Sequence, residues 1–427
     1  MYMFLFLASL FTLILLNVPL FVGLSLSSVI YIVASGQTFL VKMVAPRMFA
    51  GMNSFPLLAI PLFILCGDFL TSGKVSDVLL ELANSLFGFV RGSLSIVTTI
   101  ACMFFGAVSG SAVATASAIG SVVVPEIEKR GYKREFMAAM IASSGCLGIL
   151  IPPSIPMVLF GAVTGTSIAN LLLAGVGPGV IYGILLCLYG YWYSRKMGYS
   201  AIEKFKFKKL AINFKKSIWA IFSPLIVLGG IYSGFFTPTE AAGVAAVYSL
   251  FVGMFVYKAI KLKDLHKILL KSSVTNATIM IITAAIVLFN WVLAREQIPQ
   301  LLTNTALLYI NTQLQFLFFS ILIILIAGMF IDIPAAIILL APLFMPLVKN
   351  FGVNPVFFGA LMVAGLAIGL ITPPVALTLY VSSMVCKVEV TRIIREIIPI
   401  IFILIIGLII FILFPDIIMF LPNIFGI

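Results

Sequence analysis

Long apolar runs separated by short polar stretches restrict the fold of this 427-residue sequence more than any other feature. A helix that crosses a membrane needs about 20 consecutive apolar residues, so the chain has room for about ten crossings. The runs are continuous and do not alternate with a period of two, which argues against a membrane β-barrel. The runs are 1–16, 19–35, 52–72, 84–125, 135–175, 177–193, 218–236, 239–257, 273–294, 305–348, 355–386 and 393–420.

The composition supports a lipid-embedded fold. Hydrophobic residues make up 62% of the chain and charged residues only 9%, too few to cover a water-soluble globule. The sequence therefore predicts an all-α polytopic membrane protein with the lipid bilayer as a partner. A net charge of +12 in a soluble protein would suggest nucleic acid. In a membrane protein it reflects topology, so no nucleic-acid partner is expected.

The basic residues predict the sidedness of the crossings. Runs 84–125 and 305–348 are too long for one crossing and are predicted to be re-entrant helical hairpins. Runs 135–175 and 355–386 contain Pro-Pro and are predicted to be broken transmembrane helices. With these rules, all but four of the 26 Lys and Arg residues lie in the cytoplasm, and both termini lie outside. The four exceptions are Lys42, Arg47, Arg295 and Lys349.

An internal repeat relates the two halves. Pro125 aligns with Pro346, Gly148 with Gly369, and Pro152-Pro153 with Pro373-Pro374, each pair offset by 221 residues without a gap. Five predicted crossings separate the equivalent points, so the second copy is expected to be inverted. An inverted repeat with broken helices is typical of secondary transporters.

The repeat divides the chain into five predicted segments. They are the first-repeat scaffold helices and arm (1–83), the first hairpin with its broken helix and following helix (84–193), a basic cytoplasmic linker (194–217), the second-repeat scaffold helices and arms (218–304), and the second hairpin with its broken helix and final helix (305–427).

Two candidate cation sites lie where the hairpins and broken helices leave helical geometry. Proline lacks an N–H and glycine lets the chain turn away from the helix, so carbonyl oxygens are freed there beside Ser and Thr hydroxyls. Such oxygen cages suit Na⁺, although small residues also allow close helix packing. The predicted ligands are Ser109, Gly110, Ser111, Gly148 and Ile151 in the first site, and Gly328, Asp332, Gly369 and Thr372 in the second.

Two charged residues stand out near these sites. Asp332 lies inside an apolar run, where acids are costly and usually functional, and it is also a suitable helix N-cap. Arg295 ends a crossing on the outer side, where its guanidinium suits a carboxylate. The alternative is an interfacial arginine paired with Glu296.

Two local patterns concern the second half outside the hairpin. Thr237-Pro-Thr-Glu240 predicts a helix-capping box. The Lys-rich segment 258–271 predicts an amphipathic interfacial helix.

Enzymatic chemistry is not expected. The five cysteines lack paired spacing, His266 is the single histidine, and the sequence contains no P-loop, nucleophile elbow or zincin helix. An intramembrane enzyme that uses Asp332 as an acid or base would lack a second intramembrane acid or a histidine partner.

Six segments together resemble the large membrane (M) subunit of TRAP transporters, the tripartite ATP-independent periplasmic family. The segments are SGSAVATASAIGSVVVPEIEKRGY (109–132), GILIPPSIPMVLFG (148–161), TPTEAAGVAAVYS (237–249), AREQIP (294–299), GMFIDIPAAIILLAPLFMPL (328–347) and GLITPPVALTLY (369–380).

The resemblance implies a scaffold with an elevator-type transport domain in the bacterial inner membrane, and Na⁺-coupled uptake of an organic acid. It also implies a soluble periplasmic substrate-binding protein and a small four-helix membrane subunit as partners. Arg295 would meet the substrate carboxylate, with Ser154 and Thr115 in the substrate site. Sialate-type members often have Asp where this chain has Thr115. Both C4-dicarboxylates and sialic acid are therefore candidate substrates. A stand-alone Na⁺/carboxylate symporter is the alternative.

Overall fold

The computed structural model describes residues 2–16, 18–201 and 204–425, and these ranges contain helices and connecting turns without a β-strand. The first half contributes α1 (Tyr2–Leu15), α2 (Leu20–Ala34), α3 (Val44–Met52), α4 (Ala59–Ser72), α5 (Val75–Phe87), α6 (Ser93–Ser109), α7 (Ala112–Lys129), α8 (Arg134–Gly145), α9 (Ile155–Thr164) and α10 (Ile168–Lys196). Short 3₁₀ turns cover Thr38–Met43, Phe55–Leu58 and Cys146–Ile149.

The second half contains a further ten α-helices among the described residues. It contributes α11 (Phe207–Tyr232), α12 (Pro238–Phe251), α13 (Leu262–Arg295), α14 (Ile298–Tyr309), α15 (Gln313–Phe330), α16 (Ile333–Asn350), α17 (Pro355–Gly369), α18 (Leu377–Cys386), α19 (Val390–Leu413) and α20 (Asp416–Phe425). A π-helical turn, Val252–Val256, extends α12.

The outer surface is apolar. Among the described residues, eight helices are long and apolar enough to cross a membrane. Large side chains such as Phe4, Leu15 and Phe235 are 80%, 86% and 82% exposed, which water would oppose and lipid tails favour. The prediction of an all-α membrane protein is therefore confirmed, whereas the inversion of the second half stays a prediction.

The helix breaks lie where the sequence predicts them. Helices α6 and α7 pack against each other and meet at residues 110–111, and α15 and α16 do the same at residues 331–332. The broken helices leave α-helical geometry between α8 and α9 and between α17 and α18. Both Pro-Pro bonds, Pro152-Pro153 and Pro373-Pro374, are cis.

Helix α10 corrects one predicted boundary. The Gly and Pro residues near position 177 suggest a break between runs 135–175 and 177–193, but α10 continues through Pro178. The helices separate earlier, where Gly165 has a left-handed φ of +74° and the Ser167 hydroxyl caps α10. The glycines of α10 serve close packing instead, because a Cβ on Gly179 would lie 2.6 Å from Ile151 Cγ1.

Helix α13 corrects a second boundary. The sequence predicts a separate interfacial helix at 258–271, but α13 runs unbroken for 34 residues. The polar residues after 271 do not interrupt it, since the Thr275 hydroxyl donates to the Lys271 carbonyl at 3.1 Å and Ser272 bonds to Asp68 on α4. Asp68 also accepts from Lys271 Nζ at 2.6 Å, so α4 and α13 are joined by a carboxylate that is only 12% exposed.

The predicted linker 194–217 overlaps two helices. Helix α10 extends to Lys196 and α11 begins at Phe207, so both ends of this segment are helical. The predicted capping box before α12 is confirmed, because the Thr237 hydroxyl and the Glu240 carboxylate each accept the other residue's backbone N–H.

The two broken helices form the core of the molecule. Every residue of α8 from Phe136 onward and every residue of α17 from Val356 onward is buried. The non-helical loop that follows α8 is held inside the protein, whereas the loop that follows α17 is partly exposed, with Pro374 at the surface. Irregular backbone at membrane depth requires protein cover or a water-filled cavity.

Candidate cation and substrate site

The first hairpin turns at Gly110, which links the end of α6 to the start of α7. Its φ of +64° is left-handed, and an added Cβ would lie 2.7 Å from the Pro153 carbonyl oxygen. Glycine is therefore required here both for the turn and for the close approach to the loop after α8. Ser111 begins α7 as its N-cap and accepts a hydrogen bond from the Ala114 N–H at 3.4 Å.

Hydroxyl groups cluster at this turn. Ser109 Oγ lies 2.9 Å from Thr115 Oγ1, and the Thr115 hydroxyl donates to the Ser111 carbonyl at 2.7 Å. Ser109 is 2% exposed and Thr115 is fully buried. Three residues that the sequence singles out therefore supply neighbouring oxygens at one buried point.

The loop after α8 closes over this cluster. A Cβ on Gly148 would lie 2.4 Å from Thr115 Oγ1 and 2.8 Å from the Ser111 carbonyl oxygen, so the loop backbone contacts the hairpin directly. Ser154 is buried, caps α9 and donates its hydroxyl to the Ile149 carbonyl. Ile151 is partly buried in the same loop.

Asp332 occupies the equivalent turn of the second hairpin. It is the N-cap of α16, and its Oδ1 accepts the Ile333 N–H at 2.9 Å, with Pro334 following in the first helical turn. Asp332 is exposed on the surface of the chain by itself, next to the buried Ile333.

The loop after α17 joins the second hairpin through its backbone. A Cβ on Gly369 would lie 2.6 Å from the Gly328 backbone, and the Val375 N–H donates to the Met329 carbonyl at 3.1 Å. The Thr372 hydroxyl donates to the Ile368 carbonyl at 2.7 Å, which leaves its oxygen lone pairs available. The predicted residues Gly328, Gly369 and Thr372 thus belong to one assembly.

The two assemblies are joined across the halves. Helix α9, which follows the first broken loop, packs against α16 of the second hairpin, and α18 correspondingly packs against α7 of the first. Cys146 Sγ and Thr378 Oγ1 lie 3.7 Å apart between the two loops. Each half therefore packs against the hairpin of the other. The sequence around Cys146 and Thr378 gives no signal for this contact.

Arg295 is exposed at the end of α13. Its Nε donates to Gln37 Oε1 at 2.9 Å at the exposed end of α13, while Glu296 accepts a hydrogen bond from Tyr31. Ser154 and Thr115 are buried within the first assembly. The hydrogen bond of Arg295 is to Gln37, so its role beside Ser154 and Thr115 stays a prediction.

The donor set suits a monovalent cation. The first assembly offers neutral hydroxyl and carbonyl oxygens, and in the second hairpin the carboxylate of Asp332 lies at the start of α16. Within the described ranges no three His, Cys, Asp or Glu side chains are grouped to hold a metal ion. Hard oxygen ligands with at most one charge fit Na⁺ and do not form a transition-metal centre.

Sequence reasoning missed Gly67 on α4. A Cβ at this position would lie 3.0 Å from the Ser109 carbonyl oxygen, so α4 directly abuts the first hairpin turn. A lone glycine in an apolar helix gives no sequence signal for such a contact.

Comparisons with known proteins agree on one family. The family model described as "Tripartite ATP-independent periplasmic transporter, DctM component" matches residues 7–417. The C4-dicarboxylate TRAP transporter large permease protein DctM of Pseudomonas aeruginosa is 41% identical over 386 residues, which are 90% of each chain. The isethionate TRAP transporter permease protein DctMQ of Oleidesulfovibrio alaskensis is 37% identical over 90% of this chain and 61% of its own length.

A solved structure has the same fold. The YdaH transporter of Alcanivorax borkumensis superposes with a TM-score of 0.61 over 89% of this chain and 88% of its own. At 16% identity this likeness concerns the fold alone.

Proposed function

This chain belongs to the DctM component family of tripartite ATP-independent periplasmic transporters, and from that premise we propose that it couples Na⁺ entry to the uptake of a small organic acid. One observation supports the proposed coupling of Na⁺ entry to uptake. Two hairpin turns each contact their own broken-helix loop, and the two assemblies are interlocked by α9 on α16 and α18 on α7. A cation held at either assembly would stabilise the contact between hairpin and loop.

Asp332 gives the second assembly its charge. The register partner of Asp332 in the first half is Ser111, and both are N-caps of the second helix of a hairpin. The proposed sites therefore differ in charge, although each has an N-cap residue at the start of the second hairpin helix. Ser109, Gly110, Ser111, Gly148 and Ile151 form the first proposed Na⁺ site, and Gly328, Asp332, Gly369 and Thr372 the second.

The proposed substrate is a small organic anion. One relative is named for C4-dicarboxylates and another for isethionate, and these anions share an acidic group on a short carbon chain. We propose a C4-dicarboxylate first, with sialic acid as a further member of the class to test. Arg295, Ser154 and Thr115 would contact it in a conformation more closed than this one.

The proposed assembly has three parts. The matching family is described as part of a tripartite transporter, and we propose that this chain works with a small four-helix membrane subunit. A soluble periplasmic binding protein would deliver the substrate. The chain would lie in the bacterial inner membrane with both termini in the periplasm, and its two halves would be inverted repeats. The hairpins would form an elevator-type transport domain that moves against a scaffold.

Uptake in proteoliposomes tests this proposal. The complex of this chain with its small subunit is reconstituted, and labelled succinate, malate, isethionate or sialic acid is offered with the binding protein outside. An inward Na⁺ gradient is expected to drive accumulation of one anion, and an equal K⁺ gradient is not. Accumulation that is independent of Na⁺ would overturn the coupling, and full uptake without any binding protein would favour the stand-alone symporter.

Arg295→Lys is expected to lower the initial uptake rate by at least about tenfold, since a point charge replaces a planar fork that binds carboxylates in a bidentate manner. The initial rate at saturating Na⁺ measures this. Gln37→Ala is the matched control, because it removes the residue that accepts from Arg295 Nε but keeps the guanidinium. Normal transport by Arg295→Ala would contradict a role in binding the carboxylate.

A further inference from the structure

Asn290 on α13 forms a polar contact with the second hairpin. Its Nδ2 donates to the carbonyl oxygen of Ile338 in α16 at 2.8 Å. Ile338 is fully buried, and the contact lies where α13 packs against α16. A hydrogen bond here therefore joins a helix outside the hairpins to α16, the second helix of the second hairpin, which has Asp332 as its N-cap.

The Ile338 carbonyl needs an outside donor because of the sequence of α16. In an α-helix this carbonyl accepts the N–H of the residue four positions later. That residue is Pro342, which lies inside α16 and has no N–H. Asn290 thus supplies the donor that the proline removes.

The acceptor atom of the same amide indicates why the residue is asparagine. Asn290 Oδ1 is buried and has no hydrogen-bond partner, which is unfavourable. The hydrogen bond of the Asn290 side chain is therefore the one that its Nδ2 donates to the Ile338 carbonyl.

The first half lacks this device. The residues in register with Asn290 and Pro342 are Phe69 and Ser121. There the neighbouring helix α4 meets the hairpin by close approach, with Gly67 against the Ser109 carbonyl. The two hairpins are thus attached differently, the second by a specific hydrogen bond.

We propose that Asn290 is a positioning residue, which holds α16 against α13 in the conformation described here and so sets the place of Asp332 at the start of that helix in this state. Ile338 lies about 9 Å along α16 from Asp332, and a short helix transmits such a constraint without bending. The consequence for transport rests on the function proposed above, whereas the contact itself does not.

A double-mutant cycle of Asn290→Leu and Pro342→Ala tests the proposal. Pro342→Ala restores the N–H within α16, so the Ile338 carbonyl no longer depends on Asn290. In the chain that keeps Pro342, Asn290→Leu is expected to speed hydrogen exchange of the α16 amides about fivefold, the factor that one net hydrogen bond is worth. In the Pro342→Ala background the same change is expected to have less than about a twofold effect.

The Na⁺ concentration for half-maximal uptake is a second measurement, which a purely structural role of Asn290 would leave unchanged. Asn290→Leu is expected to raise the Na⁺ concentration for half-maximal uptake about fivefold, and Pro342→Ala is expected to suppress that rise. Asn276→Leu, on the same helix nearer its start, is the control and is expected to change neither quantity. Where Asn290→Leu does not fold, Asn290→Ala is used in the same two backgrounds.

Equal effects of Asn290→Leu in both backgrounds, or an effect in neither, would overturn the proposal. Hydrogen exchange is measured on the purified chain without any transport. Failure of the wild-type chain to take up any anion would therefore refute the proposed function and leave the test of Asn290 intact.

Discussion

Asp332→Asn is expected to leave the protein folded and to raise the Na⁺ concentration for half-maximal uptake by roughly 100-fold. A carboxylate about 4 Å from a cation at an effective dielectric constant of about 20 contributes about 4 kcal/mol, and the neutral amide loses most of it. Folding is spared because asparagine is as good an N-cap as aspartate, and the Ile333 N–H keeps an acceptor. Uptake measured against Na⁺ concentration, together with the melting temperature in detergent, gives both quantities.

The reverse exchange at another helix start is the matched control. Asn354 is the N-cap of α17, where its Oδ1 accepts the Val356 N–H at 2.8 Å. Asn354→Asp is expected to leave Na⁺ activation unchanged, because Asn354 begins a different helix and belongs to neither proposed Na⁺ site. Unaltered Na⁺ activation in Asp332→Asn would remove the second proposed site.

Gly369→Ala is expected to abolish uptake and to lower the free energy of unfolding by about 1–3 kcal/mol. The added methyl group would lie 2.6 Å from the C, Cα and O atoms of Gly328. These are backbone atoms that no rotamer change can move, so the hairpin and the loop must separate. The melting temperature and the uptake rate measure the two effects.

Gly229→Ala is the control for this change. A Cβ at Gly229, within α11, would meet no atom within 4 Å. Alanine there is expected to raise helix stability by about 0.5–1 kcal/mol and to leave uptake unchanged. Wild-type uptake and melting temperature in Gly369→Ala would show that the Gly328–Gly369 contact is dispensable.

Local chemistry made the helix breaks predictable. Gly110 with Ser111, and Asp332 with Pro334, combine a turn former or N-cap with residues that start a helix. Such signals act over a few residues and need no information from the rest of the chain. The Thr237–Glu240 capping box was predictable for the same reason.

Helix continuity was less predictable. The predicted boundary between runs 135–175 and 177–193 is not a break in α10, and the predicted end of the interfacial helix at 271 is not a break in α13. Packing overrides the local signal in both cases. Gly179 lets α10 approach Ile151, and Asp68 on α4 accepts the Ser272 hydroxyl.

The sequence by itself determined that this chain is an all-helical membrane protein, where its two hairpins turn and which oxygen-bearing residues line those turns, because apolar length and turn chemistry are local properties. Only the tertiary structure decided that α9 packs on α16 and α18 on α7, that Gly369 meets Gly328, and that Asn290 serves the carbonyl freed by Pro342. These contacts join residues distant in sequence. Their partners are selected by close packing and by the need to satisfy buried carbonyls, which depend on how whole helices are arranged.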